Sequence, residues 1–317
     1  MLRSSIEASE ARNMRADEFE GLVGNTPVVR FRHAKLPSAT RLWLKLEGFN
    51  PTGSVKDRAC TFLLRDALRR GALRPGMTVL DASSGNMASS LAYFGRILGY
   101  KVKVVCGSKL TADKANFIRL LGAELIRHGQ ITLEGNRLCR EQILPSAQDS
   151  YCFLDQLHNW ANPQAAYETM GPEILKDFPD VAAVVGSLGS GGTMYGTAKY
   201  LKDRGTRALA IVTEARAGTK LPGTAAFDDG DYITPFIEKG LGEKLFARRQ
   251  KISYADAVKC TEQLLDQGFF VGLQSGGVTQ AAIEAAQALD ISGDIVAISG
   301  DSGWKNMDAL TREFVAG

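Results

Sequence analysis

The feature that most restricts what this chain can fold into is an alternation that starts near residue 42. Short apolar, β-branched runs recur, separated by amphipathic segments of about 10–15 residues. The runs are LWLKLE (42–47), TVLDA (78–82), KVKVV (101–105), ELIR (124–127), YCFL (151–154), VAAVVG (181–186), ALAIVTE (208–214), FFVGL (269–273) and DIVAIS (294–299). Runs this apolar read as strands buried on both faces, which is how parallel strands sit when crossover helices cover the sheet. The predicted class is therefore α/β. The stretch 219–242, TKLPGTAAFDDGDYITPFIEKGLG, is rich in Gly, Asp and Pro and is expected to be a long functional loop.

A length of 317 residues allows one large domain or two medium ones, and 44% hydrophobic residues supply a sizeable core. A net charge of +3 gives no reason to expect nucleic acid or an acidic membrane as partner. No apolar run approaches the roughly 18 residues of a spanning helix. The N-terminal MLRSSIEASEARNMRADEFE lacks an apolar signal core and reads as a polar helix, so a cytoplasmic location is expected. The five cysteines are scattered without a C-x-x-C pair, and the histidines at 33, 128 and 158 are too far apart to suggest a metal site. His158 stays of interest because it follows Gln156 by two residues.

Four turns bring glycine and hydroxylated residues to the start of a helix. They are Pro-Thr-Gly-Ser-Val-Lys (51–56), Ser-Ser-Gly-Asn-Met (83–87), Gly-Ser-Gly-Gly-Thr (189–193) and Gln-Ser-Gly-Gly (274–277). Free N–H groups at such sites bind anions, and open α/β sheets bind ligands at the carboxyl edge of their strands. The richest, GSLGSGGTMYG (186–196), fits neither the Walker pattern nor a dinucleotide fingerprint, and a monophosphate is the better expectation. Lys56 is the odd residue: it opens the helix VKDRACTFLLRDALRRG, where the positive end of the helix dipole disfavours an ammonium. It either pairs with Asp57 or Glu47 on a solvated face or is a lysine meant to be neutral.

LKLEGFNPTGSVKDR, SSGN, QLHNWANP, MGPEI, GSGGT and SGDSG, in that order, resemble the cysteine synthase and cystathionine β-synthase group of pyridoxal-phosphate enzymes. The resemblance runs from GNTP (24–27) to DSG (301–303). It implies a fold of tryptophan-synthase-β type: two doubly wound α/β domains with pyridoxal 5'-phosphate in the cleft between them, in a homodimer. Residues 48–160 would form the smaller, mobile domain, and 1–47 with 161–317 the larger. By the same resemblance Lys56 is the Schiff-base lysine, and Gly189, Ser190, Gly191, Gly192 and Thr193 cradle the phosphate. Asn86 would hold the 3′-oxygen, while Ser83, Ser84, Gly85, Asn86, Met87 and Gln156 would hold the substrate's α-carboxylate. Gln274 or Ser275 would meet the pyridine nitrogen.

The implied chemistry suits these residue types. A desolvated lysine at a helix N-terminus is depressed toward the neutral amine that imine formation requires, and once released it can take an α-proton. The expected reaction is β-replacement on an O-activated L-serine or a related β-substituted amino acid, by way of an aminoacrylate, with sulfide or another small nucleophile. The alternatives are a β-eliminating lyase or dehydratase and a non-catalytic relative that binds the cofactor.

Departures from the family pattern point to specialisation. Met87 stands where Thr is usual, and Gln274 where the first Ser of the pyridine turn is usual. The 219–242 stretch is rewritten; its Asp228, Asp229 and Asp231 fit either a contact to an amine-bearing substrate or solvated turns, and turns are favoured. Tyr195 and Tyr232 are candidates for the pocket wall, with aromatic core as the commoner role.

Overall fold

The computed structural model describes residues 19–83, 85–108 and 110–315. Most of the expected N-terminal polar helix, and Ser84, lie outside the described residues.

Ten strands form two sheets: β1 (Val28–Phe31), β2 (Thr40–Leu46), β3 (Thr78–Ala82), β4 (Lys101–Cys106), β5 (Glu124–Arg127), β6 (Tyr151–Phe153), β7 (Ala183–Ser187), β8 (Leu209–Ala215), β9 (Arg248–Ile252) and β10 (Gly293–Ser299). The larger sheet has the order β1-β2-β10-β7-β8-β9 and the smaller β5-β4-β3-β6. Every pairing is parallel except β1 with β2.

The period-two geometry of a strand explains why the central runs are apolar throughout. In the larger sheet Ala183, Val185, Ile211, Ile295 and Ala297 pack on one side with the helix Leu273–Ala288. Val184, Val212, Val296 and Ile298 pack on the other with the helix Gly192–Asp203. Helices on both faces make the sheet doubly wound.

Three helices build the smaller layer around Val79, Val102 and Val104: α1 (Lys56–Arg69), α2 (Asn86–Ile97) and α3 (Ala112–Leu120). On α1 the positions 59, 60, 63, 64 and 67 form one buried stripe, and Gly71 at φ +66 follows its end. Leu63 is sealed within that stripe, and Leu63→Ala would cost about 2–5 kcal/mol by opening a cavity.

Three expectations need correction. FFVGL does not form a strand: it makes one isolated bridge, Val271 with Ser302, and its Phe269 and Val271 are apolar because they pack in the core. The stretch 219–242 is not loop throughout. It holds a short turn at Phe227–Asp229 and closes in the helix Pro235–Gly242, started by Thr234, whose Oγ1 accepts from Ile237 N–H. Gln-Ser-Gly-Gly (274–277) lies within a helix that begins at Leu273 rather than in a turn before it. The pattern also passed over β1 and β9, edge strands whose VVRF and RRQKI carry charged residues toward solvent.

Candidate active site

The carboxyl ends of β7 and β10 and the start of α1 converge on a narrow cleft. Val55, Lys56, Gly186, Ser187, Gly189, Ser190, Gly191, Thr193, Gln274, Ile298 and Gly300 line it. Lys56 therefore shares one cavity with most of the glycine turn.

Lys56 is half-buried, and what it exposes opens into the cleft. Desolvation holds its amine below the usual lysine range, against the attraction of Asp301. Neither suggested carboxylate partner is available to it. Asp57 accepts from Thr52 N–H at 2.7 Å and from the hydroxyls of Thr52 and Ser90 at 2.5 Å each. Glu47 accepts from Arg58 at 2.7 and 2.9 Å and from Thr26 Oγ1 at 2.6 Å. Among the described residues Lys56 makes no ion pair.

The glycines of 189–193 are required by close approach. A Cβ on Gly189 would stand 2.9 Å from the Gly223 carbonyl oxygen, and one on Gly192 2.3 Å from Asn162 Oδ1. Gly191 is left-handed at φ +83, and a Cβ there would meet Ile237 Cγ1 at 2.3 Å. Ser190 is buried; its carbonyl accepts from Thr234 Oγ1 at 2.6 Å and its hydroxyl from Asn162 Nδ2 at 3.2 Å. The helix Gly192–Asp203 leaves its first N–H groups facing this turn without intrahelical acceptors.

Of the two candidates at 274 and 275, Gln274 faces the cleft. Its Nε2 donates to Ser187 Oγ at 2.6 Å and to the Gly223 carbonyl at 2.9 Å, which fixes the orientation of the amide. Ser275 does not line the cleft; its Oγ accepts from Ser299 Oγ at 2.8 Å.

The residues from the smaller sheet lie at the neighbouring edge. Asn86 opens α2 and donates to Asp301 Oδ2 at 3.0 Å, next to Gly300 of the cleft; Asp301 Oδ1 is buried without a hydrogen-bond partner among the described residues. Ser83 is buried, and its Oγ accepts from Gly85 N–H at 3.3 Å. Gln156 donates from Nε2 to the Ala82 carbonyl at 2.6 Å, and its own carbonyl accepts from Asn162 at 2.7 Å, which links it to Ser190. Met87 is 1% exposed and packs in the core of the smaller layer, so its side chain does not shape the cleft.

Beyond the expected positions, Ser187, Asn162, Gly223, Thr234, Gly300 and Asp301 belong to this network. Ser187, Asn162, Gly300 and Asp301 stood inside the quoted motifs, whereas Gly223 and Thr234 had only the irregular composition of their segment as a signal. Tyr195 packs in the core. The aspartates of the rewritten stretch act locally: Asp228 pairs with Lys251, Asp229 accepts from Gly218 N–H and Asp231 from Ala226 N–H.

Comparison with known proteins gives a consistent result. The model of the pyridoxal-phosphate dependent enzyme family matches residues 19–301. The chain is 33% identical over 302 residues to a probable cysteine synthase of Bacillus subtilis, covering 93% of this chain and 97% of that one. It is 30% identical over 289 residues to an O-acetylserine dependent cystathionine beta-synthase of the same organism, covering 89% and 92%. In structure it is similar to the cysteine synthase of Entamoeba histolytica, with a TM-score of 0.86, 25% identity and coverage of 98% and 94%.

Proposed function

The chain belongs to the pyridoxal-phosphate-dependent enzyme family, and from that premise we propose β-replacement on an O-activated L-serine or a related β-substituted amino acid, with sulfide or another small nucleophile. The observation that carries this reading is Lys56: a desolvated amine that makes no ion pair among the described residues, in one cleft with a glycine cradle.

The residues of the cleft fit the cofactor. Gly189, Gly191 and Gly192 let the turn pack against Gly223, Ile237 and Asn162 more closely than any Cβ allows, and Ser190, Thr193 and the N–H groups of the following helix are donors suited to a monophosphate ester. Lys56 would hold the aldehyde carbon, Asn86 the 3′-oxygen and Gln274 the ring edge, with Ser275 behind it. Bound pyridoxal phosphate supplies a carbonyl for imine chemistry and a ring that accepts electrons from the α-carbon.

The protein's own part is to bind, orient and move protons. Lys56 Nζ, with lowered basicity, is the group that takes the proton from the substrate's α-carbon. Ser83, Ser84, Gly85 and Asn86 receive the α-carboxylate together with the Met87 main-chain N–H and the Gln156 amide. The first-turn donors of α2 favour that negative charge. The leaving group then departs from the β-carbon.

In this reading residues 48–160 form a smaller, mobile unit with Lys56 and the carboxylate loop, and the rest forms the unit with the cradle. The protein works as a cytoplasmic homodimer. Pairing is supported by Phe49 and Trp304, 67% and 75% exposed, beside a groove lined mostly by polar residues, whose large apolar side chains are Phe117, Trp304 and Met307.

The test is to add pyridoxal phosphate to purified protein, follow its visible absorbance, and then supply O-acetyl-L-serine with and without sulfide. Binding lost in Lys56→Ala and cysteine formed only with sulfide support the reading. Pyruvate at equal rates in both assays would instead make the protein a lyase, and no reaction with any β-substituted amino acid would make it a silent binder.

A further inference from the structure

The segment that ends at Thr234 makes two ties, to the cleft wall and to His158. Thr234 Oγ1 donates to the carbonyl of Ser190, a residue of the cleft wall. Two residues earlier, Tyr232 hydrogen-bonds through its hydroxyl to His158 Nε2 at 2.8 Å, with ring centroids 5.7 Å apart. His158 stands two residues beyond Gln156, whose carbonyl returns through Asn162 to the Ser190 hydroxyl. The contacts close a circuit that meets the cleft at Ser190.

His158 is held for this contact. Its Nδ1 meets Asp155 Oδ1 at 2.8 Å, and Asp155 also accepts from Asn136 Nδ2 at 2.9 Å and from Arg140. Asp155 adopts φ +55, a left-handed conformation that a residue other than glycine keeps only when its surroundings fix it. Arg140 Nη2 also lies 2.9 Å from His158 Nδ1, and the ring tautomer decides whether the Tyr232 hydroxyl donates to Nε2 or accepts from it. Tyr232 and His158 are both partly exposed, and a hydrogen bond in that setting opens readily.

We propose that Tyr232 and His158 form a clasp beside the cleft that selects the second substrate by size. The inference rests on the proposed replacement reaction, in which a second substrate must enter after the first has lost its β-substituent. Closed, the clasp admits a small nucleophile such as hydrosulfide. A bulky thiol enters only when the Tyr232 to His158 hydrogen bond is broken. Both are positioning residues; neither touches the reacting atoms.

The experiment uses holoenzyme with O-acetyl-L-serine and compares kcat/KM for sulfide with kcat/KM for an aromatic thiolate, 5-thio-2-nitrobenzoate. Tyr232→Phe keeps the ring and removes the hydroxyl; His158→Ala removes its imidazole partner. Both variants are expected to raise the ratio of bulky to small nucleophile by about 3–10-fold, the effect of one lost hydrogen bond. Acetate release without nucleophile should stay unchanged. An unchanged ratio in either variant, with acetate release intact, overturns the clasp. If the parent protein releases no acetate, the replacement reading fails and the clasp falls with it.

Discussion

Arg58 Nε donates to Glu47 Oε2 at 2.7 Å, with both side chains sealed from solvent at 2% and 0% exposure. Glu173 completes the cluster, taking Arg58 Nη1 at 2.7 Å and Lys45 Nζ at 2.6 Å. Two cations and two carboxylates balance, and they join β2, α1 and the helix Gly171–Asp177 two residues from Lys56. Removing one member strands the others as buried charge. Arg58→Ala should lower the unfolding free energy by about 3–5 kcal/mol, read from denaturant midpoints. Arg58→Lys should also destabilise, because an ammonium cannot reproduce the two-pronged contact to Glu47. A midpoint unchanged in either variant would mean that the cluster does not hold these elements together.

The same cluster predicts acid sensitivity. Arg58 and Lys45 overcome desolvation and hold Glu173 down at about 2, against 4.5 for the unfolded chain. The unfolded state binds the extra proton between those values, so the stabilisation is complete above 4.5 and is lost as pH falls toward 2. Across the window the loss amounts to roughly 3 kcal/mol. Thermal unfolding against pH should show a slope below 4.5 that is shallower in Glu173→Gln. Equal slopes would mean that Glu173 is not the titrating group.

Asp81 behaves in the opposite way. Sealed at the end of β3, it is pushed up to about 8 by burial, with the Asp155 charge adding to the shift. Here the folded state binds the extra proton between 3.8 and about 8, so stability falls as pH rises through that window and levels off above it. Asp81 Oδ2 accepts from the Gln156 main-chain N–H at 3.3 Å, which ties this ionisation to the edge of the cleft. Asp81→Asn should flatten the stability profile between about pH 5 and 8. A profile identical to that of the parent would show that Asp81 is already ionised when folded.

Some of this was legible in the sequence for physical reasons. Eight of the nine expected runs became strands of the two sheets, and the central ones, such as VAAVVG and DIVAIS, stood out because strands between two helical layers are apolar on both faces. Edge strands need only one buried face, which hid RRQKI. FFVGL misled because apolar packing alone does not supply a strand neighbour. Within the cleft, Lys56 and the glycines were readable because few other residue types tolerate those positions. Met87 was not, because a helix-start motif does not say which way its side chain turns, and the core took it. The Tyr232 to His158 contact joins residues 74 apart, and only the fold creates it.

Two left-handed glycines separate backbone strain from cleft geometry. Gly71 follows α1 at φ +66 with open space for 4 Å around the position a Cβ would take, whereas Gly191 combines φ +83 with Ile237 Cγ1 at 2.3 Å from that position. Gly71→Ala should cost roughly 1–2 kcal/mol of stability, the strain of a left-handed alanine, and leave pyridoxal phosphate affinity untouched. Gly191→Ala carries the same strain, and relief of the overlap must move either the cradle or the helix Pro235–Gly242. With the proposed phosphate donors on that cradle, affinity for pyridoxal phosphate should fall at least about tenfold, equivalent to roughly 1.4 kcal/mol. Titration of the cofactor absorbance in both variants checks this. Equal affinity in the two would mean that 189–193 does not hold the phosphate.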